Sequence, residues 1–421
     1  MSPTRTLAVG ALLATLAALT GCAGGGRVSH LSARGDAARG DAARSALDPR
    51  AESLAAPGVH HYEYVLPDQA IYVYDIDHGH RLVQHIALPG ISGIRGVVAS
   101  PAAHRLYISH GADAGPGSSG SLLAYDLLHG TVAWDRSYPR GVDSMAISAN
   151  GARIYLPDGE LSTDGVWSVI AASSGRVIGS IDAGTGPHNT IVGLSGKRVY
   201  LGGRSSPYLD VASTATNRVV ARVGPLKAGV RPFTVNGRET LAYTTATGFL
   251  GFQASSITTG RVLHTVTFGR RFRFNPATFA PSAPSHGISL APDERRLWVI
   301  DAPNGYLHVF DVSAMPRRSP RRIADIKLSH PLTGNESGCR YDCARDGWLQ
   351  HSRSGCFVYV GDSGDVYSTR TLRPVAFLRT LRNTRKMLEI DWQRGVPVAT
   401  TSRSGLGYVK RGRLPRAPTC R

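Results

Sequence analysis

Seven short segments, spaced about forty to sixty residues apart, each lead into alternating apolar sequence. They are Gly93-Ile94-Arg95-Gly96, Gly141-Val142-Asp143-Ser144, Gly186-Pro187-His188-Asn189, Gly229-Val230-Arg231-Pro232, Pro284-Ser285-His286-Gly287, Asp346-Gly347-Trp348-Leu349 and Arg385-Lys386-Met387-Leu388. Between them the chain divides into four strands per repeat. After His188 come a first strand to Leu194, a turn at Ser195-Gly196-Lys197, and strands at Arg198 to Leu201, Tyr208 to Ser213 and Arg218 to Val223. The repeat after His286 reads in the same way, with Asn304-Gly305 turning one alternating run into the next. The fourth segment of each repeat is polar at alternate positions, as an outer edge strand requires. Four-stranded units at this period predict an all-β chain folded as a β-propeller. The count is seven blades. Pro397 to Thr401 and Gly405 to Val409 leave an eighth open. Tyr62 to Leu88 has no inner strand before it, and Lys386 to Val409 supplies one. The last blade is therefore expected to be shared by both termini.

The first residues stand outside this pattern. Arg5 followed by an apolar run from Leu7 to Leu19 has the form of a targeting segment, too short to span a bilayer comfortably. Leu19-Thr20-Gly21-Cys22 resembles the lipobox of bacterial lipoproteins. The resemblance implies removal of residues 1–21 and acylation of Cys22. With Ala23 next in line, it also implies an outer-membrane address if the host is Gram-negative. Residues 22–58 are rich in Gly, Ala, Ser and Arg, lack an apolar face, and read as a tether. The propeller is then expected over 59–413, with a basic tail at 414–421.

The chain carries a formal charge of +18. Such a field favours anionic partners: lipid headgroups, acidic glycans, phosphorylated ligands. The basic stretches, such as Arg270-Arg271-Phe272-Arg273, lie in turns and at the terminus rather than along a helix with interleaved aromatics, which argues against nucleic acid. Apart from Cys22 there are four cysteines, Cys339, Cys343, Cys356 and Cys420. In an extracytoplasmic chain they read as disulfides, which four cysteines can form in three connectivities. One of these closes Cys339 on Cys343 and joins Cys356 to Cys420. A structural zinc site is the alternative, but no paired Cys-x-x-Cys spacing is present.

His286-Gly287-Ile288-Ser289-Leu290-Ala291-Pro292-Asp293, followed by Arg296-Leu297-Trp298-Val299, resembles the blade motif of YVTN-repeat β-propellers, grouped with lactonase-like and quinoprotein-like seven-bladed propellers. Pro187-His188-Asn189 to Tyr200 is a second match. The resemblance implies the fold and leaves the chemistry open, because propellers host unrelated functions. Arg95, Asp143, Arg231 and Lys386 depart from it, standing where such repeats often carry His or a small polar residue.

The starts of the inner strands crowd round one mouth of a propeller channel. By register that ring is expected to hold Arg95, Asp143, His188, Arg231, His286, Trp348 or His351, and Lys386. Three readings follow. Arg95, Arg231 and Lys386 with two imidazoles form an anion pocket. Alternatively, His188 and His286, with His351 or Asp143, hold a transition metal, although Arg231 would place a positive charge between the ligands. In the third, the histidines only hydrogen-bond inside a wet channel. No Gly-x-Ser-x-Gly elbow and no phosphate-cradling Gly loop is present. The expected role is a monomeric binding module of the cell envelope, for an anionic small molecule or glycan or an envelope protein, with no cofactor. The alternative is a lactonase-like or quinoprotein-like enzyme whose channel histidines hold a metal or act as acid and base.

Overall fold

The computed structural model describes residues 58–111, 118–277, 279, 283–336, 344–401 and 420. Cys22, the targeting segment, the tether, Cys339, Cys343 and most of the basic tail lie outside them. Seven antiparallel sheets follow one another along the chain. Blade II is built from Gly96–Ser100, Arg105–Gly111, Gly120–Asp126 and Thr131–Tyr138. Blade III comprises Ala146–Ile147, Arg153–Pro157, Val166–Ala171 and Arg176–Asp182, and blade IV Pro187–Val192, Arg198–Gly203, Leu209–Ser213 and Arg218–Val223. Blade V takes Val230–Val235, Leu241–Ala246, Phe249–Ser256 and Val262–Thr267. Blade VI takes Ile288–Leu290, Arg296–Asp301, Tyr306–Asp311 and Arg321–Lys327, and blade VII Trp348–His351, Phe357–Gly361, Asp365–Ser368 and Pro374–Phe377.

Blade I closes the ring. Met387–Gln393 from the C-terminal end pairs with His60–Val65 from the N-terminal end, and Ala70–Asp75 and Arg81–Ala87 continue outward. The shared blade is thus present and the count is seven. Of the two stretches that left an eighth open, Pro397 to Thr401 lies along Val396–Thr400, a fifth strand of blade I paired to Met387–Gln393, and Gly405 to Val409 lies outside the described residues.

Burial follows from strand position. Inner strands such as Pro187–Val192 and Val230–Val235 are buried at every residue. Outer strands such as Arg321–Lys327 alternate exposed and half-buried. Apolar side chains of facing sheets pack into clusters between blades, one of them uniting Tyr243, Phe252 and Phe310 with Leu297 and Val299. The ring residues stand at one end of the inner strands. At the other end, Ser100 to Ala102, Ile147 to Ala149, Val192 to Leu194 and the fifth strand wall a largely apolar cavity of about 430 Å³. Cys356 and Cys420 meet as a disulfide pair with their Cα atoms 5.3 Å apart.

Candidate functional site

Blades II to V enter their inner strands through a glycine, Gly93, Gly141, Gly186 and Gly229. At Gly229, a Cβ would stand 1.6 Å from the carbonyl oxygen of Arg204, so only glycine fits. The residue two positions later then faces the mouth. Going round the blades, that position is held by Arg95, Asp143, His188, Arg231, His286, Asp346 and Arg385. The order is a palindrome of residue types about Arg231. All seven are buried.

Two Asp–His pairs flank Arg231. Nδ1–H of His188 donates to Asp143 Oδ2 at 2.8 Å. His286 Nδ1–H lies 2.9 Å from the carbonyl oxygen of Gly347 and 3.1 Å from Asp346 Oδ1. Burial alone would raise the carboxyl of Asp143, but His188 and Arg95 hold it well below the usual range. Asp346 behaves likewise: Arg385 and His286 overcome its burial. Burial lowers His286, and Arg231 and Arg385 oppose the attraction of Asp346, so its imidazole is held neutral. The rings of His188 and His286 lie 6.4 Å apart between centroids and are tilted by 41°. Nε2 of His188 is buried and makes no hydrogen bond with any described residue, and the same is true of Arg231 Nε.

The arginines are engaged by carboxylates from outside the repeat position. Glu160, in the loop after Arg153–Pro157, accepts from Arg95 at 2.9 Å, Arg204 at 2.9 Å and Arg231 at 3.2 Å. Burial opposes its ionisation, yet His188 and these three guanidinium groups hold its carboxyl well below the usual value. Arg385 binds Asp346 and lies 3.3 Å from Glu336 and 3.6 Å from Asp362. The internal acids therefore balance most of the cationic charge expected to grip an anion. They also weigh against a metal here. Asp143, Glu160 and His188 offer ligand atoms within 4.8 Å of one another, but a cation would sit among three guanidinium groups that already occupy the carboxylates.

Five of the expected ring residues, Arg95, Asp143, His188, Arg231 and His286, come together as the register predicts. Blades VII and I differ. Their ring positions are Asp346 and Arg385 rather than Trp348 or His351, and Lys386. Lys386 follows directly and is buried. Trp348 packs edge-on against His286 at 5.7 Å. His351 lies further along the same strand, bonded through Nδ1 to Ser289 Oγ at 2.8 Å, with its ring edge-on to Trp298. Burial lowers its pKa to about 3, so it is a neutral core residue. Glu160, Arg204 and Glu336 lie in loops, and no spacing in the sequence ties them to the ring.

Fold and site together define a seven-bladed β-propeller with a buried acid–base ring at one mouth. Among solved structures the chain is similar to the periplasmic gluconolactonase PpgL of Pseudomonas aeruginosa, with a TM-score of 0.55 and 14% identity over 82% of this chain and 99% of that one. At that identity the likeness is one of fold. No protein-family model matches the sequence, and no curated protein does.

Proposed function

We propose that the chain is an extracytoplasmic hydrolase of lactone or related ester substrates, with His188 and His286 as its acid–base pair. The observation that carries this reading is the buried, unbonded Nε2 of His188, whose Nδ1–H is fixed by an ionised Asp143. An imidazole oriented in this way can take a proton from water and be stabilised as imidazolium by the carboxylate behind it. The water oxygen attacks the carbonyl carbon, the ring C–O bond breaks, and the leaving alkoxide takes a proton from imidazolium. Arg231 Nε, also unbonded, supplies a donor for the developing oxyanion. The fold shared with a gluconolactonase makes glucono-δ-lactone the first probe.

The test is hydrolysis of glucono-δ-lactone and a panel of other lactones followed by proton release. Turnover lost in His188→Ala supports the reading. No turnover on any lactone, together with tight binding of a sugar acid that Arg231→Ala abolishes, would replace it with the binding-module reading. The formal charge of +18 favours that second reading. An anionic glycan or an envelope protein would then be the partner. For the address, we propose anchoring through acylated Cys22, to the outer membrane in a Gram-negative host. Cys22→Ser should move the protein from the membrane to the soluble fraction.

A further inference from the structure

A second cluster lies where the propeller closes, away from the ring. His61 and Glu63 belong to the first strand of the chain, Glu389 and Asp391 to the inner strand of the same blade. The register sets His61 opposite Asp391 and Glu63 opposite Glu389, so all four share one face of the sheet. His61 Nδ1 is 2.8 Å from Asp391 Oδ1 and 3.4 Å from Glu389 Oε1.

The remaining oxygens of these two acids are held from the neighbouring blade. The backbone N–H of Arg353 donates to Glu389 Oε2 at 2.7 Å, and its guanidinium binds Asp391 Oδ2. Three atoms, Nδ1, Oε1 and Oδ1, are therefore left converging, all within 4.8 Å of one another. Outer contacts that orient converging ligands are what metal sites require.

Glu63 adds an independent observation. It is fully buried, and neither carboxylate oxygen makes a hydrogen bond with any described residue. A buried carboxyl without a donor is costly.

We propose that His61, Glu389 and Asp391, with the unbonded Glu63 facing Glu389 beside them, form a site for a divalent transition metal of the Zn²⁺ or Mn²⁺ class, which staples the first strand of the propeller to the last. An imidazole among carboxylates selects such ions over Ca²⁺ and Mg²⁺, which take oxygen ligands. The ring cluster fails the same test because three guanidinium groups share its acids. Here, among the described residues, Arg353 is the one arginine that pairs with these acids, and it takes Glu389 Oε2 and Asp391 Oδ2. The His61 side chain is 36% exposed, which leaves an access path.

The full chain, stripped with EDTA and dialysed, would be titrated calorimetrically with ZnCl₂ or MnCl₂, with CaCl₂ as comparison. About one equivalent of Zn²⁺ or Mn²⁺ should bind and raise Tm, with affinity falling about 10–100-fold in Glu63→Gln and in His61→Ala. His188→Ala should bind as the parent does. Failure to bind either transition metal, equal affinity for Ca²⁺, or binding that survives Glu63→Gln unchanged would overturn the proposal. So would binding lost in His188→Ala. Should His61→Ala not fold, the nearly isosteric Glu63→Gln decides alone.

Discussion

His188 and His286 face each other across Arg231 with ring centroids 6.4 Å apart, each holding its Nδ1–H against an aspartate on the far side. The two aspartates come from blades III and VII, so the arrangement spans five consecutive blades and is mirrored about the middle one. Mirror placement gives the pair equivalent supports. It does not give them equal environments, because Glu160 lies 3.7 Å from His188 Nδ1.

If this pair performs lactone hydrolysis, Asp143→Asn should lower kcat by roughly a hundredfold or more with little change in KM. The variant removes the charge that stabilises imidazolium and leaves the substrate contacts in place. The pH profile supplies a second check. His188 is the base, and a positive charge on His286, whose ring centroid lies 6.4 Å away, would oppose the imidazolium that forms there. Burial lowers His286, so the rate should rise with pH through a midpoint below 6.5 as His286 loses its proton, and stay level above it. Initial rates from pH 4 to 8 measure this, and a rate that falls as pH rises through that midpoint would exclude a neutral His286 beside the base.

Glu160 is the counter-charge for three buried or half-buried guanidinium groups. Glu160→Gln keeps the shape and removes the charge. Leaving buried cations uncompensated costs about 3–5 kcal/mol, so the urea midpoint should fall sharply. A drop below about 1 kcal/mol would mean that water or another acid takes over the role. The double variant Glu160→Gln with Arg231→Met should recover part of the loss, because it removes one of the stranded charges.

These residues show what the chain discloses before folding. Blades IV and VI are legible almost strand by strand, because turn residues such as Asn304-Gly305 punctuate alternating runs. Arg95, Asp143, His188 and Arg231 are legible as ring residues because each follows a glycine by two positions. Blades VII and I lack that glycine. There the reading slips by two residues to Trp348 and by one to Lys386, and a one-residue slip in a strand exchanges its faces. The fifth strand of blade I reads as a start of an eighth blade because pairing partners are not local information. Glu160 is invisible for the same reason: its partners lie 65, 44 and 71 residues away, and only ring closure brings them together.

Gly229 offers a test of how the ring is positioned. A Cβ there would overlap the backbone of Arg204, whose side chain reaches Glu160. Backbone cannot yield as a flexible side chain can, so Gly229→Ala should destabilise by about 1–3 kcal/mol. Gly58→Ala, which meets nothing within 4 Å, should change stability by less than about 0.5 kcal/mol. Parallel denaturant titrations of the two variants check the contrast. Equal behaviour would show that the approach at Gly229 relaxes freely.

Two neutral histidines outside the ring predict how stability responds to acid. Burial lowers His80 to about 4 and His351 to about 3. His80 Nε2 is bonded to Tyr359 Oη at 3.0 Å, and His351 to Ser289. In the unfolded chain both titrate near 6.5. Between those limits the unfolded chain binds more protons than the folded one, so stability must fall as pH falls. Their contribution is fully present above about pH 6.5. It is lost on acidification at up to about 1.4 kcal/mol per pH unit for each histidine, and the loss ends below the folded values. Replacing His351 by Gln removes one titrating site while keeping a polar partner for Ser289. Urea midpoints at pH 7, 6, 5 and 4 should show a slope smaller by about one proton in His351→Gln than in the parent. Parallel slopes would mean that His351 is protonated in the folded protein and that its burial does not hold it neutral.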